Sequence, residues 1–272
     1  MIETLVNVGR GQLGGFDSFI SGISHKPKSQ HIAVSHSNDV VIVGSGESSE
    51  EKIKHHRDGG PLRGGISKLR TIDGWAYLCG GNNSVTRREG PDNWSDISKS
   101  IPNPDREDYL HNRFEDIDGF NENDIYCVGT DGQVYHFDGK SWRQQDFPSN
   151  IHLYTVCCGQ DGFVYISGFQ GKTFKGKLNT WEVISGPSTT LPFKDMVWYE
   201  NKVWCTSDHG VWTIENNKVI EAKLPTSGIR LCQGNLSAAD GVLLLAGYGG
   251  AAFLENGEWT QLYSPGAFEN KR

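Results

Sequence analysis

The sequence lacks an excess of basic residues. Its 26 Lys and Arg are outnumbered by 33 Asp and Glu, for a formal charge of −7. A chain that coats nucleic acid through its phosphates needs the opposite balance, so direct nucleic-acid binding is not expected. No apolar run approaches the roughly 18 residues of a membrane helix, and no membrane association is expected. The opening residues, MIETLVNVGRGQLGG, carry neither a basic segment followed by an apolar core nor a small-residue cleavage site. They do not read as a secretory signal, and the expected location is the cytoplasm. The six cysteines have no C-x-x-C spacing and sit in strand-like runs such as IYCVG and VWCTS. They read as free buried thiols in a reducing compartment. Cys157 and Cys158, adjacent on a strand, point to opposite faces and do not form a zinc pair. Convincing helical stripes are absent too.

Aromatic residues and glycine are abundant, with eight Trp, nine Tyr, twelve Phe and 34 Gly. That is enough apolar bulk for a sizeable core, and it excludes disorder. These residues recur periodically. A short β-rich run closed by Gly or Ser appears as DIYCVG, FVYISG, KVWCTS and VLLLAG, upstream as DVVIVG and GWAYLCG, and more weakly as TLVNVG. The ends of successive copies are separated by 35, 36, 49, 39, 39 and 40 residues. Each copy is followed by a Gly or Asp-Gly turn and a second run, then by a polar turn and a run often opened by Trp94, Trp142, Trp181 or Trp259. A further run, such as FEDIDGF or KDMVWYE, precedes it.

Four short strands per unit of roughly 40 residues, joined by turns of the hairpin kind, describe a β-propeller blade. The expected fold is all-β, with residues 1–272 forming a single propeller of four-stranded antiparallel blades. Seven blades match the length best; six blades with an N-terminal extension are the alternative. In the seven-blade reading, residues 265–272 supply the innermost strand of the first blade and close the ring. The repeated Trp residues and Tyr126, Tyr165 and Trp204 are expected to pack between blades.

The segment GTDGQVYHFDGKSW (129–142) resembles bacterial propellers with repeats of the form G-x-D-G-x-V-Y followed by D-G-x-x-W. FDGKSW and SDHGVW are similar to the Asp-box turns of sialidase-like propellers, but each is incomplete. A glycan-binding or glycoside-hydrolysing propeller is therefore the alternative functional reading. No paired carboxylates stand out as an acid and nucleophile, and no G-x-S-x-G elbow is present. The run from Gly9 to Gly14 spells G-x-G-x-x-G without the βαβ unit that would give it meaning. The histidines match no metal-ligand spacing. The chain is accordingly expected not to be an enzyme and to hold no cofactor or metal.

Two stretches break the repeat. Residues 101–113 lengthen one connection between blades, and residues 45–65 are read as an expanded connection between the second and third strands of a blade. In a propeller both would lie on one face. Residues 101–124 also hold eight acids against two bases, an uneven field suited to steering a basic partner. A compact, mildly acidic propeller of this size is similar to the immunity proteins of contact-dependent growth-inhibition and related toxin systems. That resemblance implies a monomer without catalytic function that covers a basic toxin domain, a nuclease, with carboxylates standing in for phosphates. The expected contacts are Glu47, Glu50, Glu51, Asp105, Glu107, Asp108 and Tyr109, the tyrosine as central anchor.

Overall fold

The computed structural model describes residues 18–103, 111–184 and 191–264. Six four-stranded antiparallel sheets follow one another along the chain. Blade 1 comprises β1 (Phe19–Ser24), β2 (Gln30–Ser35), β3 (Asp39–Gly44) and β4 (Glu47–Lys52). Blade 2 comprises β5 (Ile66–Ile72), β6 (Trp75–Gly80), β7 (Ser84–Gly90) and β8 (Asn93–Asp96). Blade 3 comprises β9 (Phe114–Asn121), β10 (Asp124–Gly129), β11 (Val134–Phe137) and β12 (Trp142–Gln144). Blade 4 comprises β13 (Leu153–Cys158), β14 (Val164–Gly168), β15 (Thr173–Lys177) and β16 (Thr180–Ile184). Blade 5 comprises β17 (Asp195–Tyr199), β18 (Lys202–Ser207), β19 (Gly210–Glu215) and β20 (Lys218–Glu221). Blade 6 comprises β21 (Gly234–Ala239), β22 (Val242–Gly247), β23 (Gly250–Glu255) and β24 (Glu258–Tyr263). The first strands of successive blades pack side by side from β1 through β5, β9, β13 and β17 to β21, and so line the axis of a propeller.

Six blades is the alternative count, not the seven that length favours, and the first blade explains the difference. Its second strand is β2, ending at Ser35, so DVVIVG is a third strand, β3. Residues 45–65 are therefore not an expanded link between second and third strands. They hold the β3–β4 turn, β4 itself and the connection to blade 2. The TLVNVG copy and the proposed closing segment 265–272 lie outside the described residues.

Each core cluster spans two neighbouring blades. Ile32, Val34, Leu69 and Leu78 join blades 1 and 2, while Tyr77, Phe114, Ile125 and Trp142 join blades 2 and 3. Tyr126 packs in the cluster between blades 3 and 4, Tyr165 in that between 4 and 5, and Trp204 in that between 5 and 6. The recurrent large aromatics are thus inter-blade packing, as expected. Trp142 also donates its indole N–H to the Ile97 carbonyl across the blade boundary, at 2.9 Å.

The glycine that ends the second strand has a steric cause. At Gly129 a Cβ would lie 1.8 Å from the Arg113 carbonyl oxygen, and at Gly247 1.8 Å from that of Gln233. At Gly80 the distance to the Gly65 carbonyl oxygen would be 2.0 Å. The chain entering each innermost strand crosses the end of the second strand, and backbone cannot yield as a flexible side chain can. Blades 1 and 5 hold Ser35 and Ser207 there instead. In Gly129→Ala we expect a loss of about 3 kcal/mol in urea unfolding, whereas Ser207→Ala should lose no more than about 1 kcal/mol. A Gly129→Ala protein as stable as the parent would refute the crossing constraint.

Candidate partner-binding face

The acids counted in residues 101–124 divide by their place in the fold, and several are internal. Asp116 and Asp118 lie on β9, at the axis. Arg70 of β5 grips Asp116 side-on, donating from Nε at 3.1 Å and Nη2 at 2.9 Å, and the same Nη2 reaches Asp195 of β17 at 2.6 Å. Lys68 adds a second cation on Asp195, at 3.0 Å. One side chain thereby ties blades 2, 3 and 5 together across the axis. The same carboxylates cap the free strand edges of the following blades. Asp116 accepts from the Val156 N–H and the Thr155 hydroxyl, Asp118 from the Cys158 N–H, and Asp195 from the Leu236 N–H. An innermost strand has no further strand to pair with, and these contacts satisfy donors that burial would otherwise strand.

Burial pushes the Asp195 carboxyl up, but Arg70, Lys68 and the Leu236 N–H outweigh it and hold the group below its ordinary value. At Asp118 burial prevails over Arg70 and two N–H donors, and the carboxyl rises to about 6. Burial raises Glu115 as well, yet His152 and Arg113 more than reverse this. Asp124 is held by His136 at 2.8 Å and Lys177 at 3.0 Å. These acids serve the fold and contribute little to a field felt by a partner. Burial also raises the Cys79, Cys127, Cys157 and Cys205 thiols, so none is a ready nucleophile. Among the described residues no His, Cys, Asp and Glu cluster could hold a metal ion.

In a meander the first and third hairpin turns of every blade fall on one face, and the second turn and the inter-blade connection on the other. Two-residue hairpins on the first face need positive φ, which Asp, Asn and Gly supply. Asp73 has φ 49°, Asp240 51°, Asn216 50° and Asn256 50°. Turn chemistry places Asp73, Asp92 and Asp240 there at positive φ; Glu122, Asp138 and Glu200 lie in turns of the same face, set against Lys26, Lys28 and Lys140. The opposite face carries the long connections, and its described part leans the other way. Exposed Lys54, Arg57, Lys99, Lys172, Lys194 and Lys223 outnumber Asp58, Asp131, Asp146 and Asp208.

Of the expected contacts, Glu47 begins β4 beside the hairpin-turn face and bonds Lys28 at 2.7 Å, and Glu50 is exposed along the same outer strand. Glu51 is not available to a partner. It is buried between blades, with its carboxylate on the Arg88 guanidinium at 2.7 Å and on the Trp94 indole N–H at 3.2 Å. Alternation along β4 turns Glu51 inward and its neighbour Glu50 outward. Asp105, Glu107, Asp108 and Tyr109 lie outside the described residues. The turn beside Glu47 lies on the hairpin-turn face, and the connection from β8 to β9 starts on the long-connection face. On the hairpin-turn face a cleft of about 290 Å³ opens between blades 4 and 5, lined by residues including Asp161, Tyr165, Lys175, Trp198, Glu215 and Asn217. Sequence reading missed both this cleft and Arg70.

No protein-family model matches the chain. Over 240 residues, 88% of this chain and 78% of the relative, it is 30% identical to the immune protein Tsi7 of Pseudomonas aeruginosa. The chain belongs to the Tsi7 family. Among solved structures, YCF48 bound to a D1 peptide superposes with a TM-score of 0.62 at 13% identity, covering 92% of this chain and 82% of that one. PorZ of the Porphyromonas gingivalis type-IX secretion system gives 0.60 at 16% identity, covering 89% of this chain and 33% of PorZ. At those identities the likeness shows the propeller fold alone. In this Tsi7-family chain, Glu51→Ala leaves the Arg88 cation buried without its partner and should cost about 3–5 kcal/mol in chemical denaturation. Glu50→Ala, on the exposed side of the same strand, should stay within about 0.5 kcal/mol. Equal effects would contradict the placement of the two carboxylates.

Proposed function

We propose that this chain is an immunity protein that binds a cognate toxin and blocks it without catalysing a reaction. Kinship with an immune protein across most of the chain carries the reading. The proposed toxin is a basic domain, a nuclease, whose active site is covered by surface carboxylates in place of nucleic-acid phosphates. Exposed Glu47 and Glu50 belong to that acidic surface; Glu51 does not. The proposed site of action is the cytoplasm, where a nuclease meets its substrate, and the free chain is proposed to be a monomer.

The test is co-expression with a candidate toxin from a neighbouring gene. Growth should be restored and a one-to-one complex recovered, with an association rate that falls roughly ten-fold from low to high salt. Failure to restore growth and to form a complex would overturn the immunity role. A complex whose association ignores salt would overturn the basic character of the toxin.

A further inference from the structure

We infer that the hairpin-turn face is the surface that meets the toxin, and that its cleft between blades 4 and 5 receives an arginine side chain. This rests on the immunity reading and adds to it the face, the anchor point and the group recognised.

Three observations lead to it. First, the turns of this face carry Asp73, Asp92, Glu200 and Asp240 exposed and Glu122 and Asp138 half-buried, while the described part of the opposite face is weighted toward lysine and arginine. A basic partner is drawn to the former and repelled by the latter.

Second, the cleft wall already holds a cation. Lys175 Nζ lies 4.3 Å from the centre of the Phe163 ring and 5.3 Å from that of Tyr165. It is 3.3 Å from an Asp161 oxygen and 3.3 Å from the Asn217 side-chain oxygen. Aromatic faces, a carboxylate and an amide oxygen are the groups that stabilise an organic cation.

Third, Asp161 pairs with Lys175, and Glu215, the second carboxylate at the cleft and 40% exposed, is held through one oxygen: its Oε1 pairs with Lys202 at 3.3 Å and accepts from the Thr213 hydroxyl at 3.0 Å. The Oε2 side is the one a second cation can approach. Trp198 lies beside Tyr165, ring centres 6.2 Å apart, and completes an aromatic wall. A guanidinium is flat, weakly hydrated and forked, so it can lie on an aromatic surface while pairing with a carboxylate. A lysine ammonium would have to shed more tightly held water to do the same.

The experiment uses the intact free chain and follows indole N–H signals by NMR, with the Trp198 signal assigned from its loss in Trp198→Phe. N-acetyl-arginine methylamide is the probe, and its uncharged isostere N-acetyl-citrulline methylamide is the control. The Trp198 signal should move with the arginine compound, saturating in the millimolar range expected of a single side chain. Citrulline should move it at least roughly five-fold less, and Glu215→Gln should weaken the arginine response by a similar factor. No shift with arginine, an equal shift with citrulline, or a shift produced by a methyl glycoside and not by arginine would overturn the arginine site. The glycoside result would identify a sugar subsite. None of these outcomes bears on whether the chain restores growth against the toxin, so failure here is separable from failure of the immunity role.

Discussion

The guanidinium of Arg70 is the contact on which the ring depends most. It bridges Asp116 and Asp195, and those two carboxylates in turn hold the edges of β13 and β21. A buried charge of this kind is costly unless its geometry is complete. Here Nε and Nη2 of the guanidinium both donate, a second cation shares Asp195, and backbone N–H groups take up further carboxylate oxygens. A propeller has no layer of helices to lock its sheets. Each blade packs on its neighbours through aliphatic and aromatic clusters, and that packing is strong yet poorly directional. The axial ion network adds direction, because a carboxylate two strands out of register could not meet the same N–H.

The frame leaves the two faces free to differ. Hairpins that turn in two residues favour Asp, Asn and Gly, so the face that carries most of them collects Asp73, Asp92 and Asp240 as a by-product of its geometry. The other face has one hairpin turn per blade and the longer connections, and its described part holds more exposed lysine and arginine than acid. Among the described residues the two faces thus differ in charge, and the hairpin-turn face is the one that attracts a basic partner. Recognition can then follow from backbone rules already imposed by the fold, with few residues dedicated to binding.

Much of this architecture was legible in the chain. The recurrence of KVWCTS, VLLLAG and their relatives marks the second strands because one physical event, the crossing of the incoming chain at Gly80, Gly129 and Gly247, repeats in blade after blade. Blade 1 was misread because its second strand ends in Ser35, while its third strand, DVVIVG, imitates the motif. The acidic surplus was legible only as a sum. Asp116 and Asp118 sit in FEDIDGF between apolar residues, a pattern shared by Arg70 in SKLRTI and Asp195 in KDMVWY. A charge embedded in an innermost strand is a sign of an axial partner. The partner of each was hidden because Arg70 and Asp195 are 125 residues apart. Glu51 shows the same limit on a smaller scale: its alternation with Glu50 was visible, but which of the two faced Arg88 depended on knowing that β4 was an outer strand. The Tsi7 kinship adds the role that these features alone do not specify.

A double-mutant cycle on Arg70→Met and Asp195→Asn, read by urea unfolding, tests the axial network most directly. Each single change should destabilise the ring, and the double change should cost less than the two together by at least about 1 kcal/mol. Strictly additive effects would show that the two side chains do not depend on one another, and that the ring is held by inter-blade packing alone.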